Sequence, residues 1–273
     1  MGDRMIDASA PQQRPSPYAE LQDVSITFAG VKRLKQVHLA VGRGQITTVM
    51  GPSGSGKSLV LKLIAGLLQP TEGVVWVEGR KFSNFTRDEI TKRSARVGML
   101  FQRNALFDSM TAIENVKFPQ IETQGVTNEA AEMRARELLE SVGLSNAAER
   151  YPGEMSGGMQ KRLGIARALA LKPEFVLYDD PTAGLDPITS RSIMRLIKDL
   201  QLKSGATAVV VTNEVARAFQ VADQMAFTFG GELVAAGPPE QARSHADPRI
   251  QQFLKGGLIG PLTSSGPSDS ESL

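Results

Sequence analysis

The chain contains no cysteine and only two histidines, His38 and His245. The first absence excludes disulfide staples and cysteine-based metal centres, and the second excludes a poly-histidine metal centre. Both histidines read as strand or surface residues. No apolar run approaches the roughly 20 residues that a membrane span needs. The opening stretch MGDRMIDASAPQQRPSPY has no apolar centre and does not read as a signal peptide. A surplus of charge is missing as well. The formal net charge of +2 gives no general argument for nucleic acid or an anionic membrane surface as a partner. The expectation is a cytoplasmic chain, reaching a membrane only if a partner holds it there.

Of the 273 residues, 41% are hydrophobic and 22% charged, enough for a sizeable core in one large domain or two lobes. Residues 1–17, rich in Pro, Gln and Ser, read as a flexible tail. GPLTSSGPSDSESL at the other end reads the same way, and DPRIQQFLKGGL before it as a short docking helix. The body is expected over 18–247 and a C-terminal tail over 248–273. AELQDVSITF, QVHLAVGRGQITTVM and GVVWVEGRKF have the alternation or apolar runs of strands. KSLVLKLIAGLL reads as a helix, and from about Thr127 to Leu171 the pattern turns helical. FVLYD and ATAVVVT return as short apolar strands, each followed by a helical stretch. Apolar strands alternating with helices predict a mostly parallel sheet covered on both faces. An antiparallel β-lobe precedes it, and a helical arm is inserted into it.

GPSGSGKS matches G-x-x-x-x-G-K-[ST] at every fixed position: Gly51, Pro52, Ser53, Gly54, Ser55, Gly56, Lys57 and Ser58. It follows a predicted strand and opens a predicted helix, the context in which such a loop cradles phosphates with its backbone N–H groups. Lys57 is then expected at the β/γ-phosphates and the Ser58 hydroxyl on Mg²⁺. FVLYDD ends a strand in Asp179, the expected carboxylate of that metal site. Ser156, Gly157 and Gly158 in EMSGGMQKR read, taken alone, as a helix cap with anion-binding amides.

The order P-loop, Ser-Gly-Gly, strand-end Asp, AGLDP resembles the ATP-binding cassette (ABC) ATPases over roughly Ala19 to Pro239. The resemblance implies an α/β P-loop NTPase (RecA-like) core with an antiparallel β-lobe and an inserted α-helical subdomain at about 103–171. It also implies ATP and Mg²⁺ as cofactors. Phe28 would stack on adenine, with a buried strand phenylalanine as the other reading. Gln102 would reach the Mg²⁺ site and link it to the arm. Ser156, Gly157 and Gly158 would bind the γ-phosphate of ATP held by the other subunit, with Leu185 and Asp186 across the dimer interface. One chain then holds half of each of two sites, and a homodimer closes on two ATPs.

GMLFQRNALFDSMTAIENV, the variant SGGM and DPRIQQFLKGG further resemble the Mla-type lipid-trafficking cassettes that work with MCE proteins. That implies a membrane permease of the MlaE kind, an MCE lipid carrier, a STAS-domain protein, and a peripheral place on the cytoplasmic face of the inner membrane. Permease coupling would fall on Ala105, Leu106, Phe107 and Met110.

Two residues depart from the ABC pattern. Asp180 stands where the family has its water-orienting glutamate, and Asn213 where it has its switch histidine. Aspartate is one methylene shorter, and asparagine donates a hydrogen bond but carries no proton or charge. The expectation is intact nucleotide binding with slow basal hydrolysis, and the alternative is a nucleotide-gated clamp with little hydrolysis. A DNA-repair or chromosome head is disfavoured, because no heptad insert separates the P-loop and signature halves. The pairs Lys92-Arg93 and Lys161-Arg162 read as solvated faces.

Overall fold

The computed structural model describes residues 16–263, so most of both predicted tails lies outside the described residues. β1 (Ala19–Phe28) buries Leu21, Val24 and Ile26, and β2 (Val31–Val41) pairs with it antiparallel after the turn at Ala29 and Gly30. β3 (Ile46–Met50) is buried at every residue, as suits a strand covered on both faces. The glycine-rich loop leads into α1 (Lys57–Ala65), after which β4 (Glu72–Val77) and β5 (Arg80–Lys81) complete a lobe ordered β2-β1-β4-β5.

α2 (Arg87–Ser94) opens on a capping box between Thr86 and Glu89. Its Arg93 is buried, and the guanidinium donates to Ile64 O and Ala65 O, carbonyls freed by the end of α1. The reading of Lys92-Arg93 as a solvated pair therefore holds for Lys92 alone.

β6 (Val97–Leu100) leads to the helical arm of α3 (Ala112–Gln124), α4 (Asn128–Ser141) and α5 (Gly157–Ala168). The arm thus begins one helix earlier than the periodicity indicated, because Pro119 sits inside α3 and interrupts its pattern. A fully buried Asn115 holds the approach to this helix. Its Oδ1 accepts from Phe107 N, and its Nδ2 donates to the carbonyls of Phe107, Met110 and Thr111. Asn115→Leu leaves those groups unpaired and is expected to cost about 2–3 kcal/mol. Urea unfolding of the variant measures it, and a loss well under 1 kcal/mol would contradict this role.

β7 (Phe175–Asp179), α6 (Pro187–Ser204), β8 (Thr207–Thr212), α7 (Val215–Val221) and β9 (Gln224–Phe229) follow in the alternating order expected of a doubly covered sheet. β10 (Glu232–Gly237) returns antiparallel on β9 through Gly230 and Gly231, both at positive φ. The resulting order is β10-β9-β3-β8-β7-β6, parallel throughout except at the β10 edge. α8 (Pro239–Arg243) and α9 (Pro248–Lys255) close the described chain. α9 is the helix expected from DPRIQQFLKGGL. Its Ile250 is buried, and Arg249 ties it to Glu232 on β10.

Candidate nucleotide site

Parallel pairing of β3, β6, β7 and β8 brings their C-terminal ends to one edge of the sheet, where α/β folds build their sites. A cleft of about 320 Å³ opens there, lined by Ser53, Gly54, Gly56, Lys57, Ser58, Gln102, Asp179, Asp180 and Asn213 among others. Residues from four separated stretches of sequence thus meet. A larger cavity of about 660 Å³, beside Tyr18, Leu138 and Lys172 at the opposite ends of β7 and β8, holds none of the predicted site residues.

The loop before α1 is shaped by its glycines. Gly51, Gly54 and Gly56 all have positive φ, and a Cβ on Gly51 would come 2.2 Å from Thr228 O. Gly56 caps α1 without any side-chain hydrogen bond, and no acidic residue lies in the first turn. The N–H groups and dipole of the helix therefore face the cleft uncompensated, a setting that favours an anion. Lys57 Nζ donates to the carbonyls of Gly51 and Pro52, each at 2.8 Å, so its ammonium lies across the loop. Burial pushes that lysine below its ordinary value, against the pull of Asp180 and Asp179. Ser55 differs from its neighbours. Its hydroxyl turns inward to Thr228 Oγ1 at 2.6 Å, and its backbone N–H donates to Pro52 O at 3.3 Å.

Across the cleft, Ser58 Oγ donates to Asp179 Oδ1 at 3.1 Å. A hydroxyl and a carboxylate so placed, with Gln102 on the same cleft, form an all-oxygen donor set of the kind a hard divalent cation takes. Among the described residues no group of three or more His, Cys, Asp or Glu is gathered to hold a metal. Mg²⁺ is commonly held by one or two carboxylates together with substrate phosphates, and Asp179 beside Ser58 offers one such carboxylate.

Asp180 has left-handed backbone (φ 47°), with its N–H bonded to Val211 O at 2.9 Å. Its carboxylate is loosely held, since Thr212 Oγ1 stands 3.5 Å from Oδ1. Burial raises its pKa above the usual aspartate value; Glu214 and Asp179 push the same way, and Lys161 and Lys57 oppose. Asn213 is exposed on the cleft wall.

Besides Gly51, Pro52 and Ser55 of the loop itself, three sets of predicted residues lie outside this lining. Phe28 ends β1 at 45% exposure, which overturns the buried-strand reading and leaves a free ring face. Ser156 caps α5 through Met159 N at 3.3 Å, with Gly157 beside it on the surface and Gly158 half-buried. Asp186 caps α6, accepting from Ile188 N and Thr189 N at 2.9 Å each. Of the residues expected to face a permease, Ala105 is exposed, and Leu106, Phe107 and Met110 are half-buried.

The pair Lys161-Arg162 is not a solvated face. Lys161 is only 3% exposed and donates to Gln102 O, while Arg162 donates to Val142 O and Ser192 Oγ. Adjacent charges carried no sign of which way a helix would turn them. The buried threonines Thr212 and Thr228 were missed for a like reason, since nothing in a strand sequence marks a hydroxyl that will face a site.

The ABC transporter family profile matches residues 34–183. The chain belongs to that family. It is 36% identical over 251 residues to the intermembrane phospholipid transport system ATP-binding protein MlaF of Escherichia coli, covering 92% of this chain and 93% of the relative. The glutamine transport ATP-binding protein GlnQ of Escherichia coli is 39% identical over 237 residues, covering 86% and 98%. Among solved structures, a dimeric post-hydrolysis state of the ATP-binding cassette MJ0796 bound to ADP and Pi aligns at a TM-score of 0.71 and 36% identity, covering 79% of this chain and 96% of that one. As an ABC transporter ATP-binding subunit, this cassette binds and hydrolyses ATP and works as a dimer.

Proposed function

We propose that this cassette drives phospholipid transport through a membrane permease of the MlaE kind, with an MCE lipid carrier and a STAS-domain protein in the same complex. The likeness to the phospholipid-transport relative supports this reading because it runs over nearly the whole of both chains. Glutamine and methionine transport cassettes match at 39% identity, so an ABC transporter for another cargo is the competing reading. Purification of the tagged chain from detergent-solubilised membranes, followed by partner and lipid identification, tests it. Recovery of a permease with an MCE protein and bound phospholipid is expected. Recovery with an amino-acid permease would overturn the lipid assignment. The location that follows is peripheral, on the cytoplasmic face of the inner membrane; no described helix is long and apolar enough to cross one.

Within the cleft, the backbone of Gly51, Pro52, Ser53, Gly54, Ser55 and Gly56 would surround the phosphates, with Lys57 drawn from its two carbonyls onto the β/γ-phosphates. Ser58, Asp179 and Gln102 would hold Mg²⁺, which when bound neutralises charge on the phosphate oxygens. Phe28 would offer its ring to adenine. Asp180 would orient the attacking water and Asn213 would donate a hydrogen bond to a γ-phosphate oxygen. The single observation carrying this scheme is the separation within one chain. P-loop, Gln102, Asp179, Asp180 and Asn213 share a cleft, while Ser156, Gly157, Gly158 and Asp186 lie off it and would serve the nucleotide of the other subunit.

The short, loosely held Asp180 and the uncharged Asn213 would make basal hydrolysis slow. The same pair favours a second reading, a clamp whose ATP-driven closure matters more than turnover.

A further inference from the structure

After β6 the chain takes a path it could not hold by itself. Asn104 and Ala105 are consecutive non-glycine residues with φ of 60° and 52°, a left-handed conformation disfavoured wherever a Cβ is present. Such a loop persists when its surroundings over-determine it. Two cationic side chains of α5 do so. Lys161 Nζ donates to the backbone carbonyl of Gln102 at 2.6 Å. Arg167 donates to the carbonyl of Ala105, and its guanidinium lies 4.4 Å from the centre of the Phe107 ring.

Lys161, Gly164 and Arg167 recur every three residues and so share a face of the helix. Gly164 lets that face come close, since a Cβ there would sit 2.5 Å from Leu100 Cδ1. The neighbours of Lys161 fasten elsewhere: Gln160 to the carbonyls of Pro152 and Met155, Arg162 to Val142 O and Ser192 Oγ. Burying a charged residue such as Lys161, only 3% exposed, is costly unless something requires it. What it touches is the backbone of the residue whose side chain enters the nucleotide cleft, and the carboxylates of Asp179 and Asp180 attract it through space.

We propose that Lys161 is a positioning residue that couples the signature helix to the Gln102 loop. Its ammonium pins the Gln102 carbonyl, so the placement of α5, with Ser156 at its N-cap, sets where the Gln102 side chain stands beside the nucleotide. The inference rests on the ATPase reading above and adds to it a route between the two half-sites of one chain. Lys161 makes no contact with substrate in this scheme.

The test compares the full chain with Lys161→Met, which keeps length but removes charge and donors, and Lys161→Arg, which keeps both. Backbone hydrogen exchange over residues 101–106, with and without Mg²⁺ and ATP, is read alongside kcat and KM. In Lys161→Met, exchange in that segment is expected to rise about tenfold while the rest of the chain is unchanged. Its kcat is expected to fall about tenfold with KM within about twofold, and Lys161→Arg to restore most of both. Unchanged exchange at 101–106 would overturn the proposal. So would a rise spread over the whole chain that arginine does not reverse, or a local rise with wild-type kcat. If the wild type binds ATP without turnover, the hydrolysis reading fails by itself, and the exchange arm still decides the role of Lys161.

Discussion

Lys57→Ala is expected to lower ATP turnover by about 10²–10³-fold, the scale seen when one preorganised charge-stabilising donor is removed. Lys57 lies folded across its own loop, held by the carbonyls of Gly51 and Pro52. A triphosphate entering the cleft replaces those two neutral acceptors with charged ones, a stronger hydrogen bond for the same ammonium. Burial has already weakened the hold of this lysine on its proton, so the charge is more dearly kept without an anion than with one. Alanine removes that charge where phosphoryl transfer leans on positioning and electrostatics. Single-turnover hydrolysis measured beside ATP affinity checks this. A variant that still turns over within about threefold of wild type would mean that the chemistry lies elsewhere.

The second large effect has the opposite sign. Asp180→Glu combined with Asn213→His is expected to raise kcat on the order of 10²-fold, since misplacement by about 1 Å costs that much where geometry governs the rate. Glutamate restores the missing methylene from the same left-handed backbone position, and histidine restores a group able to hold a proton at the γ-phosphate. Nucleotide affinity should hardly change, because the loop, Ser58 and Asp179 are untouched. Steady-state kinetics of the two single variants and the double variant measure this. A strong rise from near zero favours the clamp reading for the natural chain. An already brisk wild type with no gain would show that Asp180 reaches the water after all, and the predicted slowness would be withdrawn.

Much of this site was legible without coordinates, for physical reasons that differ from residue to residue. The P-loop is contiguous, and its chemistry needs glycines and a lysine at fixed offsets because backbone amides do the binding, so GPSGSGKS identifies itself. Asp179 and Asp180 follow an apolar run, and the end of a buried strand is where a carboxylate reaches the sheet edge. Phe28 was ambiguous because alternation places a residue on a face without saying whether anything covers it. Only the end of β1 decided that this ring is free. Periodicity does not mark α3 because Pro119 interrupts its pattern, whereas Gly230-Gly231 is a readable turn signal for the β9–β10 hairpin.

The amino-acid order alone determined the expectation of which groups bind a triphosphate and where Asp180 and Asn213 depart from the ABC pattern, because those readings reside in residue identity and short spacing. It left open which way each side chain turns. Ser55 looks like a phosphate ligand yet spends its hydroxyl on Thr228. Arg93 and Lys161 look like solvated charges yet are buried against carbonyls of α1 and of the Gln102 loop. Those outcomes depend on partners 28 to 173 residues away in sequence. Only the packing of lobe, sheet and arm into one body brings such groups within hydrogen-bonding distance.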